Sequence, residues 1–210
     1  MFCPDCKYPV KEGVCTGCHK KVAKRRAPLR TYRDRGHEVT TTLKDLTQRQ
    51  LDYLRERGLF PSEIEDWVRL ESEQAYVFLP VEEGFHGRRL VLNRPKYISR
   101  GLHGEEVWRV ERVVPQSDVY VCEGVFDAYY FSEVIGVATL GGSITRRQAE
   151  NILTRLPGRV ILACDQGVDP AEFGYWFRKL DRRIPIERAM PPGHDWGDEV
   201  QAGRRFESDA

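Results

Sequence analysis

Residues 159–173, RVILACDQGVDPAEF, decide how this chain is read. The first six are a short apolar run carrying Val and Ile, as in a strand covered on both faces. An acid, Asp165, follows at once. Asp169-Pro170 then opens a helix expected to reach Leu180. The same order stands upstream in residues 119–134, VYVCEGVFDAYYFSEV, where Glu123 ends a strand and a helix is expected over 126–134. Between these units, residues 136–140 read as a strand, and Thr145 caps a helix carrying Ala149, Ile152, Leu153 and Leu156. A last strand is expected over 184–189, with a short helix from Trp196. Short apolar strands alternating with amphipathic helices predict an α/β fold built on a parallel sheet.

The preceding region has a different texture. Thr47-x-x-Gln50 is a capping box, and Leu51 and Leu54 continue one apolar face until Gly58. Ser62-x-x-Glu65 predicts a second short helix carrying Ile64, Trp67, Val68 and Leu70. Strands are expected over 75–81, 89–92 and 107–110, divided by Gly84, Gly87, Gly101 and Gly104. This reads as a small α+β region of antiparallel character.

Four of the six cysteines, Cys3, Cys6, Cys15 and Cys18, form C-x2-C-x8-C-x2-C near the start. Two C-x-x-C knuckles can aim four thiolates at one tetrahedral Zn²⁺, and so short a segment needs metal to fold. Disulfides or a redox pair suit a cytoplasmic chain without a thioredoxin-like context less well. Cys122 and Cys164 read as small buried strand residues.

The formal net charge of +1 hides a split. Residues 1–37 hold ten Lys and Arg against three Asp and Glu, and the remainder holds 23 against 29. The basic stretch 19–37 reads as a flexible linker, either a solvated face or a tracker of phosphates. With 31% charged and 40% hydrophobic residues the composition is globular, which excludes a disordered or collagen-like chain. No apolar run approaches the roughly 18 residues of a membrane span. The N-terminus lacks a signal-peptide h-region, so the expected address is the cytoplasm.

In parallel sheets the ligand crevice lies beyond the carboxyl ends of the strands. Glu123, Asp165 with Asp169, and Asp195 with Asp198 follow three such ends. Crowded carboxylates favour hard divalent cations, Mg²⁺ or Mn²⁺. Taken singly, Asp169 and Asp195 are equally good helix caps.

Residues 119–200 resemble a Toprim domain. VCEGVFDA matches its strand–Glu–Gly–helix motif, TLGGSIT the small-residue turn after it, ILACDQGVDPA the aspartate motif, and PPGHDWGDEV the closing acidic segment. YLRERGLFPSEIEDWVRL resembles the element that opens the RNA-polymerase core of bacterial and phage primases. AYVFLPV and RRLVLNRPKY resemble the strands and Lys-Tyr signature of that core. The order matches a DnaG-like primase: zinc ribbon 1–19, basic linker 20–43, core subdomain 44–115, Toprim domain 116–202 and tail 203–210.

The resemblance implies primer RNA synthesis from ribonucleoside triphosphates on single-stranded DNA, in a stand-alone phage-type protein with a replicative helicase in trans and no membrane partner. It implies one structural Zn²⁺ on the four cysteines and catalytic Mg²⁺ or Mn²⁺. Glu123, Asp165, Asp169 and Asp195 would be catalytic and metal-binding, with Asp198 a further ligand. Arg57, Arg94, Lys96 and Arg100 would bind nucleotide or template, although each could be an ordinary surface charge. Two departures stand out. Gly167 takes the place of the second Asp of the usual Asp-x-Asp, so either Asp169 supplies the missing ligand or one metal site is weakened, and His194 stands where Lys is usual. The alternatives are a RecR-like zinc-ribbon and Toprim adaptor without catalysis, and a nuclease using the same acids.

Overall fold

A computed structural model describes residues 10–11, 14–15, 29–34 and 37–206, except 72, 82–83 and 102–104. Of the expected zinc ligands, Cys3, Cys6 and Cys18 lie outside the described residues, and only the backbone of Cys15 is described. That backbone belongs to a minimal antiparallel hairpin of β1 (Val10–Lys11) and β2 (Val14–Cys15).

The parallel sheet expected from the sequence is present. It contains β9 (Asp118–Cys122), β10 (Gly136–Ala138), β11 (Arg159–Ala163) and β12 (Ile186–Ala189) in the order β10-β9-β11-β12, all parallel. Alternation divides the core into two layers. Val119, Val121, Val160 and Leu162 join one buried cluster with Ile152 of α4 (Arg146–Leu153), Phe173 of α5 (Pro170–Phe173) and Phe177 of α6 (Tyr175–Leu180). Cys122, Ala138 and Ala163 join the other, with Phe126 and Tyr129 of α3 (Val125–Tyr130) and Val200 of α7 (Trp196–Gln201). Cys122 and Cys164 are buried free thiols, as expected.

The expected helix over 170–180 is interrupted at Gly174, which ends α5 and starts α6. A side chain there would meet Leu162 Cδ1 at 2.5 Å, so close helix–sheet packing requires glycine. Thr145 caps α4 as expected, donating and accepting through Gln148 in a full capping box.

The antiparallel half departs further from expectation. Residues 29–44, within the expected linker and its boundary, contain the hairpin of β3 (Leu29–Asp34) and β4 (His37–Lys44). The Thr47 capping box does start a helix, α1 (Gln48–Glu56), which ends before Gly58. The second helix is only α2 (Pro61–Ile64), capped by the Glu63 carboxylate accepting from the Phe60 N–H at 2.7 Å. Val68 bridges Phe78, and Arg69–Leu70 forms β5 against β4, so the chain leaves the helix before the expected Trp67–Leu70 face can form.

A second sheet comprises β6 (Tyr76–Val81), β7 (Gly84–Arg89) and β8 (Tyr97–Gly101). Gly84 and Gly87 therefore lie inside a strand instead of dividing two. A Cβ on Gly84 would meet the Arg100 carbonyl oxygen at 1.8 Å, and one on Gly87 the Phe78 ring at 2.5 Å. Here glycine permits close approach within the sheet. The expected strand over 107–110 is a single bridge, Trp108 to Ala138, followed by a 3-10 turn.

The end of the described chain is packed. Phe206 donates its N–H to the Tyr130 carbonyl at 2.7 Å and lies against Tyr120 and Phe131. Arg205 reaches Glu63 of α2 at 2.7 Å. Among the described residues no helix is long and apolar enough to cross a membrane.

Candidate nucleotide and metal site

The chain passes from β9 to its neighbour β10 on one side, then returns to place β11 on the other. Such a reversal opens a crevice between the two strands at their carboxyl ends. Glu123 follows β9 by one residue and Asp165 follows β11 by two, and Cys122 and Ala163 are paired across the sheet. Topology thus brings these two acids together. Backbone N–H groups act on the rim: that of Asp165 lowers the Glu123 carboxyl slightly, and that of Trp196 does the same for Asp165. The second contact carries the Asp195 segment onto the same rim.

Burial raises the Glu123 carboxyl above its usual range, with the Asp165 charge adding to the effect. Asp165 is raised too, by burial and then by Asp195, although Lys96 and His194 partly offset this. Glu123 Oε1 and Asp165 Oδ1 are buried without a hydrogen-bond partner. Buried oxygens lacking donors, on two mutually repelling acids that line one pocket, suit a bound divalent cation. The donor set is all hard oxygen, so the residues fit Mg²⁺ or Mn²⁺.

Asp127 lies one helical turn beyond Glu123 and accepts the Gly124 N–H at 3.0 Å, fixing the start of α3. Burial, then the charges of Asp165 and Asp195, push its pKa up to about 7. The folded state therefore keeps a proton that the unfolded chain releases near pH ~4. The sign follows: stability linked to this acid is greatest below that pH and declines as pH rises towards 7. Without added divalent cation, thermal unfolding should show a loss of a few kcal/mol between acid and neutral pH, at ~1.4 kcal/mol per pKa unit. Added Mg²⁺ should flatten that decline. A profile equally flat with and without the cation would contradict this account.

A wall of cations and aromatic rings from the antiparallel half faces the acids. Lys96 and Tyr97 line one pocket with Glu123, Asp127 and Asp165, of ≈ 210 Å³. His86 lines it too and stacks on Tyr97, with ring centroids 5.2 Å apart. The Arg88 guanidinium sits 4.7 Å from the Tyr97 centroid and 5.8 Å from that of Phe126, while its Nε donates to the Tyr53 hydroxyl at 2.9 Å. Arg57, just past α1, lies 4.9 Å over Phe126 and donates to Gln201 Oε1. A Cβ on Gly197 would stand 3.1 Å from Arg57 Nη2, 3.2 Å from Asp127 Oδ1 and 3.3 Å from Asp195 Oδ1. Arg57 therefore meets the acidic rim at Gly197.

The other expected residues divide. Asp195 caps α7, its Oδ1 accepting the Asp198 N–H at 2.6 Å, and Asp198 is exposed in the first turn. Asp169 is exposed and caps α5, its Oδ1 accepting the Ala171 N–H at 2.8 Å, so it serves a cap and does not line the pocket. Gly167 has φ +91°, a conformation that strains an L side chain, which accounts for glycine in this turn. Arg100 is ion-paired with Glu73. Arg94 is exposed, and its carbonyl accepts from Arg89 at 2.6 Å. Neither Arg94 nor Arg100 lines the pocket.

Asp127, His86 and Arg88 were not among the expected site residues. The acid three residues after Gly124 was a visible signal, since a carboxylate in the first turn of a helix can accept the N–H at its start. Arg88 lies directly opposite Tyr97 in the β7–β8 ladder, a pairing hidden by reading Gly84 and Gly87 as strand breaks.

No family model matches the sequence, and no curated protein matches it. Solved structures do match. The primase fragment of the bacteriophage T7 primase-helicase protein aligns at TM-score 0.51 and 15% identity, over 90% of this chain and 85% of that one. A DNA primase domain from Pseudomonas aeruginosa aligns at 0.49 and 20%, over 75% of this chain. A DnaG catalytic core aligns at 0.47 and 20%, over 74%. The chain spans 56% of each of those two structures. The likeness to the phage fragment shows a shared fold, a primase-type α/β architecture.

Proposed function

We propose that this chain is a DNA primase of phage type, joining ribonucleotides into short primers on single-stranded DNA. The convergence of Glu123, Asp165 and Asp195 from three strand ends, opposite Lys96, Tyr97, Arg88 and Arg57, carries this reading. In the reaction a 3′-hydroxyl oxygen forms a bond to an α-phosphorus, the bond to pyrophosphate breaks, and the hydroxyl proton passes to a basic oxygen. Divalent cations supply charge neutralisation at the phosphates and acidify the attacking hydroxyl. Glu123, Asp165 and Asp195 would hold them, with Asp198 at the margin.

The chain's own groups then position the reactants. Lys96 and Arg57 attract the triphosphate, and the Tyr97 face, backed by His86 and Arg88, offers a base or ribose a flat contact. Asp127 holds the Gly124 N–H and keeps the turn after Glu123 closed. The Zn²⁺ module on Cys3, Cys6, Cys15 and Cys18, with the basic segment behind it, would steady the template. A replicative helicase in trans would deliver that template.

The test is primer synthesis on single-stranded DNA with ribonucleoside triphosphates and Mg²⁺ or Mn²⁺. Oligoribonucleotides are expected from the wild type and not from Glu123→Gln. Asp169→Ala should retain synthesis, because Asp169 acts as a helix cap, and should lose about 1 kcal/mol of stability. DNA binding without product would instead identify an adaptor, and shortened template a nuclease.

A further inference from the structure

Residues 174–190 run from the start of α6 to just past β12. They hold five Lys and Arg against two Asp and Glu, a net of +3 within a body, 38–210, whose 23 basic and 29 acidic residues sum to −6. Both acids of the stretch are already paired, Asp181 with Arg183 and Glu187 with Arg159. Lys179, Arg182 and Arg188 are exposed, and among the described residues none of them forms an ion pair.

The fold gathers this charge on one face. Arg188 is paired with Leu162 across the β11–β12 ladder, so it lies on the side of the sheet that α6 covers. A Cβ on Gly174 would stand 2.5 Å from Leu162 Cδ1 and 3.1 Å from Arg178 Nη1, which brings the start of α6 to the same place. Tyr175 follows, 49% exposed and edge-on to the half-buried Trp176, with ring centroids 5.1 Å apart. Lys179 is one turn along from Tyr175 on the same helix face, and Arg182 comes just past the helix end. A helix C-terminus favours cations, which accounts for Lys179. It accounts neither for Arg188 on a strand nor for a large exposed ring in the first turn. The face also has a direction. The charge of Arg188 reaches Cys164, the residue before Asp165, while Arg183 lines a hollow with Gln116 and Gly158 at the amino ends of β9 and β11.

We propose that this face is a second contact for single-stranded nucleic acid, with Lys179, Arg182 and Arg188 meeting phosphates and Tyr175 stacking on a base. Cations interleaved with an exposed ring suit an unpaired strand, whose bases present their faces, better than a duplex, whose bases are stacked. The proposal rests on the primase reading only for the identity of the strand, the template beyond the catalytic pocket.

The full chain, without divalent cation, would be titrated into labelled oligothymidylate over a salt series and followed by fluorescence anisotropy. The variants are Tyr175→Ala and the triple Lys179→Gln, Arg182→Gln, Arg188→Gln. All four positions are exposed, so both proteins should fold. The triple variant should lower the slope of log affinity on log salt by about 2, the scale of three lost phosphate contacts on a single strand. Tyr175→Ala should weaken binding roughly tenfold and leave the slope unchanged. Oligothymidylate carrying 4-thiothymidine should photo-crosslink within residues 174–190, a readout that the basic N-terminal segment cannot imitate. Crosslinks confined to other segments, unchanged slope and affinity in both variants, or no binding by wild type would overturn the proposal. Equal affinity for duplex, with no effect of Tyr175→Ala, would overturn the single-strand preference. Primer synthesis, measured separately, keeps the two readings apart: its absence beside intact binding and crosslinking would overturn the primase and leave this contact standing.

Discussion

Asp165→Asn should make the protein more stable and nearly inactive at once. Asp165 sits among buried acids and itself raises the carboxyls of Glu123 and Asp127. Removing its charge relieves that repulsion, and the amide keeps the size and one accepting oxygen of the carboxylate. Without divalent cation at neutral pH, the expected gain is about 1 kcal/mol, or ~2–4 °C in a chain of this size. Asp127 should then release its proton at lower pH, shifting the pH-dependent loss of stability downward. Primer synthesis should fall by at least ~10²–10³-fold, the scale of losing one charge-stabilising group at a reacting centre. Calorimetry in the absence and presence of Mg²⁺, beside a primer assay, separates the two effects. A less stable variant, or one with near-normal synthesis, would contradict the role assigned to Asp165.

Arg205→Met should be the most destabilising single substitution in this set. Arg205 and Glu63 are 7% and 6% exposed, and Arg205 Nη2 lies 2.7 Å from Glu63 Oε2. The same guanidinium donates to the Gly58 carbonyl at 3.0 Å and lies 4.2 Å over the Phe60 ring. Loss of the arginine strands a buried carboxylate, at a cost of ~3–5 kcal/mol. The effect reaches the site, because this contact holds the turn after α1, from which Arg57 reaches Gly197. Gly58 at φ +80° lies so close to α7 that a Cβ would meet the Val200 carbonyl oxygen at 1.9 Å. Denaturant unfolding should show the loss. A double variant, Glu63→Met with Arg205→Met, should recover much of it, less about 1 kcal/mol for the Phe60 N–H that loses its acceptor. Equal stability of single and double variants would show that no stranded charge is involved.

The two halves differ in how far sequence alone described them. From Asp118 onward β9, β10 and β11 are short and mainly apolar, and Thr145 and Asp195 announce their helices, so local signals agree with the tertiary result. In the antiparallel half they conflict. Gly84 and Gly87 carry the signal of a break but serve a strand whose neighbours press too close for a side chain. The run after Ser62 has helical spacing, yet Val68 and Leu70 obtain more by pairing with Phe78 and Leu43. Arg88 and His86 were obscured for the same reason: their relation to Tyr97 exists only once β7 is one continuous strand.

By itself the sequence determined the parallel α/β architecture and the presence of Glu123, Asp165 and Asp195 at strand ends, because strand, cap and turn preferences are local. It did not settle which acids would act as caps and which as a charged centre. Asp169 and Asp195 both cap a helix and neither lines the pocket, but Asp195 is also brought within electrostatic reach of Asp165 and Asp127. Only the tertiary structure decided that, and only it made Asp127 an acid that titrates near neutrality. The physical reason is common to both. A carboxylate's environment is set by the strands and loops that surround it in space, and burial beside other charges is a property no single segment encodes.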